Sequence, residues 1–179
     1  LSEARDNFVL VKSAADFPAP VAGVITLVTG VEYEINGTIT LSNSINLNGC
    51  TLKGDDSGND KLVYTGGGAL FTGNKTGSIR FLTMTAASGS VFNINAGATA
   101  QNMIAQNCFF LGCNSIGTIS GVGGTVFFAT VACFLNTNGI TFQDDNNVVL
   151  NNTLWDASNS NIFERFIGTL QTGCKSDIE

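Results

Sequence analysis

Apolar residues recur along the chain in a short template, which places them at the first, third, sixth and eighth of eight positions. Five copies of this template begin at Ile45, Ile79, Met103, Val126 and Val148. Their starts are 34, 24, 23 and 22 residues apart, and the long first interval contains the acidic segment 54–61. A second, less regular ladder of apolar pairs precedes the copies: Ile39/Leu41, Ala69/Phe71, Phe92/Ile94, Gly117/Ile119 and Ile140/Phe142.

Two periods in this pattern predict the fold. Within a ladder every second residue is apolar, as in a β-strand whose alternate side chains point to the same side. Between ladders the spacing of about 23 residues suits one turn of a solenoid, in which stacked turns bury like side chains in columns. We predict an all-β protein, a right-handed parallel β-helix of five to six turns over residues 24–171. A β-sandwich is the alternative, although its strands usually follow one another every 8–12 residues or so.

The two ends of the chain differ from the repeats. Residues 1–23 are predicted to form an N-terminal cap, with a short strand at Phe8–Val11 and one helical turn at Ser13–Phe17 that has the S-x-x-D spacing of a capping box. Residues 172–179 are polar and are interpreted as a tail or as a junction to a following domain or chain. Because this end offers little cover to a solenoid and the charge is low, we expect a homo-oligomer, with a trimer as one option.

Composition narrows the function classes. Only 12% of the 179 residues are charged, against about 25% in a typical soluble domain, and the net charge is −6. The Lys and Arg residues form no cluster, so no nucleic-acid partner is expected. The chain contains no histidine, which excludes Ser-His-Asp catalysis and imidazole-ligated metals within one chain. The longest apolar stretch, Val21–Val31, is too short to span a bilayer, so no membrane span is expected.

The apolar columns resemble the right-handed β-helix of the pectate-lyase-like superfamily over about residues 24–170. Residues 13–47 more particularly resemble β-helical structural proteins of tailed bacteriophages. Members of that group serve as tail spikes, fibres or other virion appendages, often as trimers, and many bind host surface glycans while some cleave them. The resemblance therefore implies an extracellular virion location, with other virion proteins and a host glycan as partners. A secreted or cell-surface protein is the alternative location.

The chemistry of β-helical enzymes requires particular residues. Glycoside hydrolysis needs two carboxyl groups about 5–10 Å apart, and the candidates are Asp144, Asp145 and Asp156. We interpret them as turn formers, because no carboxylate recurs one turn away and neighbouring residues in a strand face opposite sides. Elimination of the pectate-lyase type needs a basic residue beside acidic calcium ligands, and Arg80 is predicted to point outward without such a ladder. Glu164-Arg165 is interpreted as a surface ion pair or an interface contact.

Metal and sugar contacts have a few further candidates. Asp55, Asp56 and Asp60 could hold calcium, but they lack the spacing of a calcium loop and are predicted to form a solvated loop. Tyr33 and Tyr64 are the aromatic residues predicted to be exposed, and so are candidates for stacking on a sugar ring. The other aromatic residues on the ladders, together with three cysteines, are predicted to be core: Phe71, Phe81, Phe92, Phe110, Phe128, Phe142, Trp155, Cys50, Cys108 and Cys133.

These observations predict a non-enzymatic structural or attachment module of a bacteriophage virion that contacts a host surface glycan. The alternative function is a polysaccharide lyase or glycoside hydrolase fragment of the β-helix type. No cofactor is expected under either reading. A cleft that holds two carboxylates, or one carboxylate with Arg80 or Arg165, would favour the enzyme.

Overall fold

The computed structural model describes the backbone of residues 7–168 and 175–178 and the side chains of residues 7–168. One 3-10 helix (Ala14–Asp16) and eighteen strands make up this described part. The strands are β1 (Phe8–Val11), β2 (Val24–Thr26), β3 (Glu32–Ile35), β4 (Thr38–Leu41), β5 (Ser44–Asn46), β6 (Thr51–Lys53), β7 (Lys61–Tyr64), β8 (Ala69–Gly73), β9 (Ser78–Arg80), β10 (Thr83–Thr85), β11 (Ser90–Thr99), β12 (Met103–Leu111), β13 (Ser115–Val122), β14 (Thr125–Phe134), β15 (Asn138–Gln143), β16 (Asn147–Trp155), β17 (Glu164–Ile167) and β18 (Lys175–Ile178). The prediction of an all-β chain is confirmed.

The strands form two sheets, in which neighbouring strands run parallel. Sheet A begins as two courses of short strands, β1-β3-β6-β9 and β4-β7-β10, which both pair with the long strand β12 before β14, β16 and β18. Sheet B has the order β2-β5-β8-β11-β13-β15-β17. Because neighbours in each sheet lie one turn apart along the chain, the protein is a parallel β-solenoid of about seven turns.

The structure has about seven turns where the sequence predicts five to six. At the start of the chain β1 pairs in register with β3, which places Val9 beside Tyr33. At the other end β18, within the segment that the sequence assigns to a tail or junction, pairs with β16. Both strands have only four residues, too few to carry the eight-residue template, so the count of turns omits them, although the sequence does predict the strand at Phe8–Val11.

The last three copies of the template have the register that the sequence predicts. Met103 pairs with Val126 and Val126 with Val148, while the sixth position holds Cys108, Val131 and Thr153 in the same order. Aromatic rings then pack within the core, where the ring centroid of Phe128 lies 6.1 Å from that of Phe110 in sheet A and 5.9 Å from that of Phe142 in sheet B. One shared core therefore supports both sheets.

The first two copies have a different register. Ile79 pairs with Ala105 rather than Met103, so the interval between equivalent residues is 26 and not 24. The prediction that Phe81 belongs to the core is wrong. This residue is 40% exposed and occupies a corner with φ 53°. In the first copy Ile45 lies in sheet B, and Leu52 is the residue that pairs with Ile79. These early turns vary in length, so a fixed interval does not align them.

From β12 onward each long strand of sheet A bends at one residue. Asn107, Thr130 and Asn152 occupy this bend in successive turns, with φ of 52°, 54° and 52°. Asparagine tolerates this left-handed conformation, whereas a β-branched residue such as threonine rarely adopts it. The bend divides β12, β14 and β16 into a leading and a trailing half, which continue the two early courses of the sheet.

The predicted helical turn near the N-terminus is confirmed as the 3-10 helix. The Ser13 N–H donates to Asp16 Oδ2 at 2.8 Å, and the Lys12 N–H donates to the same oxygen at 2.9 Å. Phe17, just after the helix, stacks on Tyr33 with ring centroids 5.8 Å apart, so the turn covers the first aromatic side chain of the core. Within the described residues, no helix has the length and apolarity needed to cross a membrane.

Candidate functional site

Asp145 lies in the corner between β15 and β16, where it is only 1% exposed to solvent. Its Oδ1 accepts a hydrogen bond from the Val122 N–H of the preceding turn at 2.8 Å. Burial raises the pKa of Asp145 to about 6, although the bond from Val122 opposes that rise. The carboxyl group of Asp145 therefore joins two turns and does not face a solvent cleft.

The other two catalytic candidates lie apart from that buried carboxyl group. Asp144 is exposed at a left-handed corner, with φ 53°. Asp156 follows the far end of β16, where Ser158 hydrogen bonds through its side chain and its N–H, the latter at 2.8 Å, and lowers the pKa of the carboxyl. A strand of nine residues rises about 3.3 Å per residue, so even with its bend β16 separates Asp156 from Asp145 by on the order of 20 Å. The structure does not bring these two together.

Asp60, one of the three metal candidates, is buried at the base of the acidic loop. Its Oδ1 accepts the Gly37 N–H of the preceding turn at 2.8 Å, and its Oδ2 accepts the N–H groups of Asp55 and Asp56 at 2.8 and 2.9 Å. Burial pushes the pKa of Asp60 upward, but these three backbone donors outweigh it and the pKa is lowered. This carboxylate is therefore already occupied by backbone donors.

The remaining part of the acidic loop is also organised by its own hydrogen bonds. Asp56 accepts the Gly58 N–H at 2.8 Å and the Asn59 side-chain amide at 2.6 Å. The Thr83 hydroxyl donates to the Ser57 carbonyl at 2.6 Å, which ties the loop to the next turn. Among the described residues, no group of three or more acidic or cysteine side chains could hold a metal ion. The loop is a folded connection in which the carboxylates of Asp56 and Asp60 face backbone and amide donors.

The buried Asn136 and the partly buried Asn159 join successive turns in the same way as Asp60 and Asp145. Asn136 accepts the Cys113 N–H at 2.9 Å and donates to the Phe110 carbonyl at 2.9 Å. One turn later Asn159 accepts the Asn136 N–H at 2.8 Å and donates to the Cys133 carbonyl at 2.7 Å. We call these four side chains turn brackets: Asp60, Asn136, Asp145 and Asn159. Sequence reasoning missed the asparagines, although Cys113, Asn136 and Asn159 are each 23 residues apart.

Tyr33 and Tyr64, predicted to be exposed, are 2% and 5% exposed, so that prediction is wrong. The Tyr33 hydroxyl accepts the Val28 N–H at 3.1 Å, and the Tyr64 hydroxyl lies 3.3 Å from Ser44 Oγ. Each ring is held inside the coil by apolar packing, while its hydroxyl meets a polar partner near a corner. Neither ring presents a face on which a sugar could stack.

Three cysteines lie in the core and Arg80 lies outside it, as the sequence predicts. Cys50, Cys108 and Cys133 are buried free thiols, and Cys113, in the corner after β12, is buried as well. Burial raises the pKa of Cys108 to about 11 and that of Cys113 to about 12, which makes them poor nucleophiles. Arg80 lies outside the core and its Nε donates to Ser78 Oγ at 2.9 Å.

The outward side chains of sheet B form a polar, uncharged surface over β11, β13 and β15. The strand register places them in three columns: Ser90–Ser115–Asn138, Asn93–Thr118–Thr141 and Asn95–Ser120–Gln143. We call this surface the polar outer face. Hydroxyl and amide side chains both donate and accept hydrogen bonds, which is the chemistry that sugar hydroxyl groups match. In the sequence, the polar residues that alternate with the apolar pairs of the second ladder indicate this polar outer face.

A groove crosses the polar outer face between successive turns. It encloses about 220 Å³ and is lined by side chains that include Thr118, Asn138, Thr141, Asn161 and Arg165. Small-molecule pockets usually enclose about 300–1,000 Å³, so this groove offers shallow surface contact and not an enclosed site. Arg165 is exposed and pairs with Thr141, which adds a cation to the end of the central polar column.

Glu164 and Arg165 lie on opposite faces of sheet B. Arg165 pairs with the outward Thr141, whereas Glu164 pairs with Ile140, which is buried in the core. Consecutive strand residues point to opposite faces, so these two side chains diverge. The predicted ion pair between them therefore does not fit the strand geometry.

Comparisons with known proteins give no relative: no protein-family model, no curated protein and no solved structure matches this chain. The resemblance to the pectate-lyase-like superfamily and to bacteriophage proteins thus has support from the apolar pattern alone. The parallel β-solenoid stands on the strand pairing itself.

Proposed function

We propose that this chain is a non-enzymatic structural or attachment module of a bacteriophage virion, part of a tail or head appendage, whose polar outer face contacts a host surface glycan. One observation carries the proposal: the polar residues fall into two sets with different environments. The turn brackets join successive turns of the coil, and uncharged hydroxyl and amide groups cover the outside of β11, β13 and β15. The assignment to bacteriophages is supported by the resemblance of residues 13–47.

A stacked coil suits a structural role because each turn supports the next through hydrogen bonds along the whole axis. The polar outer face adds weak, repeated contacts to this scaffold, since like side chains recur about every 4.8 Å along each column. Shallow contacts of this type give low affinity at one site and become effective when several copies bind one surface. A glycan-coated cell presents such a surface.

The glycan proposal is tested on an array of bacterial surface polysaccharides. The variant Thr118→Ala/Thr141→Ala removes two neighbouring hydroxyl groups from the central polar column, and we expect its binding to the preferred glycan to fall by about tenfold or more. The matched control is Val149→Ala on sheet A, which should bind as the unchanged protein does. Equal loss in both variants, or no glycan bound by the unchanged protein, would contradict the proposal.

The enzyme alternative is tested on the same polysaccharides by assays for new reducing ends and for unsaturated products. We expect no turnover. Turnover that disappears in Asp144→Asn, Asp145→Asn or Asp156→Asn would replace the attachment role by catalysis. The virion location is tested by immunogold labelling of purified virus particles, where labelling of cell surfaces or medium alone would favour the secreted alternative.

A further inference from the structure

The outward side chains of sheet A include two apolar columns, which flank the outward column Gln106–Ala129–Asn151. On the leading halves of β12, β14 and β16 the column is Ile104–Phe127–Val149, and on the trailing halves it is Phe109–Ala132–Leu154. Leu111 and Phe134 form a further pair beside them, and the rings of Phe109 and Phe134 meet edge to face with centroids 6.2 Å apart. We call these eight residues the apolar outer face. Sheets that face water on one side normally carry polar residues there, so an apolar face calls for a covering partner.

Charge is absent from the same part of the chain. The 63 residues from Phe81 to Gln143 contain no Asp, Glu, Lys or Arg, so the net charge of −6 arises from the two flanking segments. Turns built from this stretch carry no ionic group on either sheet. Identical copies of an acidic protein repel one another wherever their charged surfaces approach. The middle turns are where two copies can meet without that repulsion.

The geometry of the apolar outer face also matches a second copy. Its columns run along the coil axis with one residue about every 4.8 Å, and any other copy has the same spacing, so ridges and grooves of two such faces interlock. Three strands of about nine residues cover roughly 400 Å², which is about half of what one partner contributes to a standard interface. An area of that size predicts reversible association.

We propose that the apolar outer face is a self-association surface, on which a second copy of this chain packs sheet to sheet. The occupant is another copy and not a charged partner, because β12, β14 and the rest of residues 81–143 carry no ionic group for recognition. The inference rests on the outward residues of sheet A and does not depend on the proposed function.

Sedimentation velocity tests this surface on the full chain, over concentrations from about 1 µM to about 300 µM. We expect the average mass to rise above the monomer's 18.7 kDa as concentration increases. Phe109→Lys and Phe127→Lys place a charge inside the contact and should each weaken association by about tenfold or more. The matched control, Thr118→Lys, adds the same charge to the polar outer face and should leave association unchanged. Phe134→Thr, a milder change that suits an exposed strand, guards against misfolding of the lysine variants.

Three results would overturn the proposal. One is a protein that stays at 18.7 kDa throughout the concentration range. Another is association that Thr118→Lys weakens as much as Phe109→Lys does, with circular dichroism showing all variants folded. The third is a monomer that binds phosphatidylcholine vesicles and loses that binding in Phe109→Lys, which would make a lipid surface the occupant of this face.

Discussion

The two sheets share one core but differ in what they show to the outside. Outward positions on β13 and β15 hold Ser, Thr, Asn and Gln, whereas those on β12, β14 and β16 hold the apolar outer face on either side of the column Gln106–Ala129–Asn151. Both sheets have the same parallel pairing and bury their inward side chains together, so the fold does not demand this difference. The two proposals account for the contrast by what each face would meet: solvent and sugar hydroxyls on sheet B, and a second copy of the chain on sheet A.

The largest expected effect comes from the core that both sheets share. Phe128 is fully buried between Phe110 and Phe142, so Phe128→Ala should lower the free energy of unfolding by about 3–5 kcal/mol. Its neighbour Phe127 points outward, and Phe127→Ala should cost less than about 1 kcal/mol in a dilute monomer. Urea denaturation measures both. Similar losses in the two variants would mean that the inward and outward assignments of β14 are wrong.

The turn brackets join successive turns at the corners between the sheets, and Asn136 is the more deeply buried of the two neutral ones. Asn136→Ala leaves the buried Cys113 N–H and Phe110 carbonyl without their partner, which should cost about 2–3 kcal/mol. Asn138 lies two residues away but is exposed, and Asn138→Ala should cost under about 1 kcal/mol. Thermal and urea unfolding of the two variants measure these losses. Equal losses would mean that the contacts of Asn136 do not stabilise the fold.

Asp145 is a bracket with a pH dependence. Its pKa is raised to about 6 in the folded protein, so folding favours the protonated form and stability falls as pH rises from about 4 towards 6. The loss is roughly 3 kcal/mol and is complete above that range. Asp145→Asn keeps an acceptor for the Val122 N–H without the charge, as Asn136 does for Cys113.

We therefore expect Asp145→Asn to be more stable than the unchanged protein at pH 8 and equal to it near pH 4. Urea titrations of both proteins at the two pH values give the comparison. Other carboxylates with lowered pKa, such as Asp60, are common to both proteins and cancel in the difference. An Asp145→Asn variant that loses stability at pH 8 would show that the carboxylate is needed in its charged form.

The smallest expected effect lies in the bend of the long strands of sheet A. Thr130 occupies the left-handed bend position that Asn107 and Asn152 hold in the neighbouring turns. Thr130→Asn should raise the free energy of unfolding by about 0.5 kcal/mol, because asparagine adopts this conformation with less strain. Thr141→Asn, a like change at an extended strand position on sheet B, is the control and should give no gain. Differential scanning calorimetry resolves a change of this size as a shift in Tm.

The sequence predicts the later turns well because these turns are of nearly equal length. From Met103 to Thr153 the template alone yields the observed pairing. It fails at Phe81 because a single residue in left-handed conformation interrupts the alternation there, and no apolar pattern records a φ angle. Strands β2 and β3 are not predicted, because three or four residues carry too little periodicity.

Site prediction fails for a related reason. Asp60 and Asp145 attract attention as carboxylates, yet their neighbours one turn away are backbone N–H groups, which any residue type supplies. Tyr33 falls outside the template copies although it lies in the inward column of β3 beside Leu52. Residue type therefore suggests chemistry, while the stacking register decides whether a polar group is buried in the wall or available on its surface.

The stacking register is tested most directly by electron paramagnetic resonance distances along the central polar column of sheet B. Nitroxide labels are placed on Thr72→Cys paired in turn with Asn93→Cys, Thr118→Cys and Thr141→Cys, which are neighbours in successive turns. Parallel stacking of the turns predicts backbone separations that grow by about 4.8 Å per turn, to about 5, 10 and 14 Å. Separations that do not increase in this order would contradict the solenoid register on which both outer faces depend.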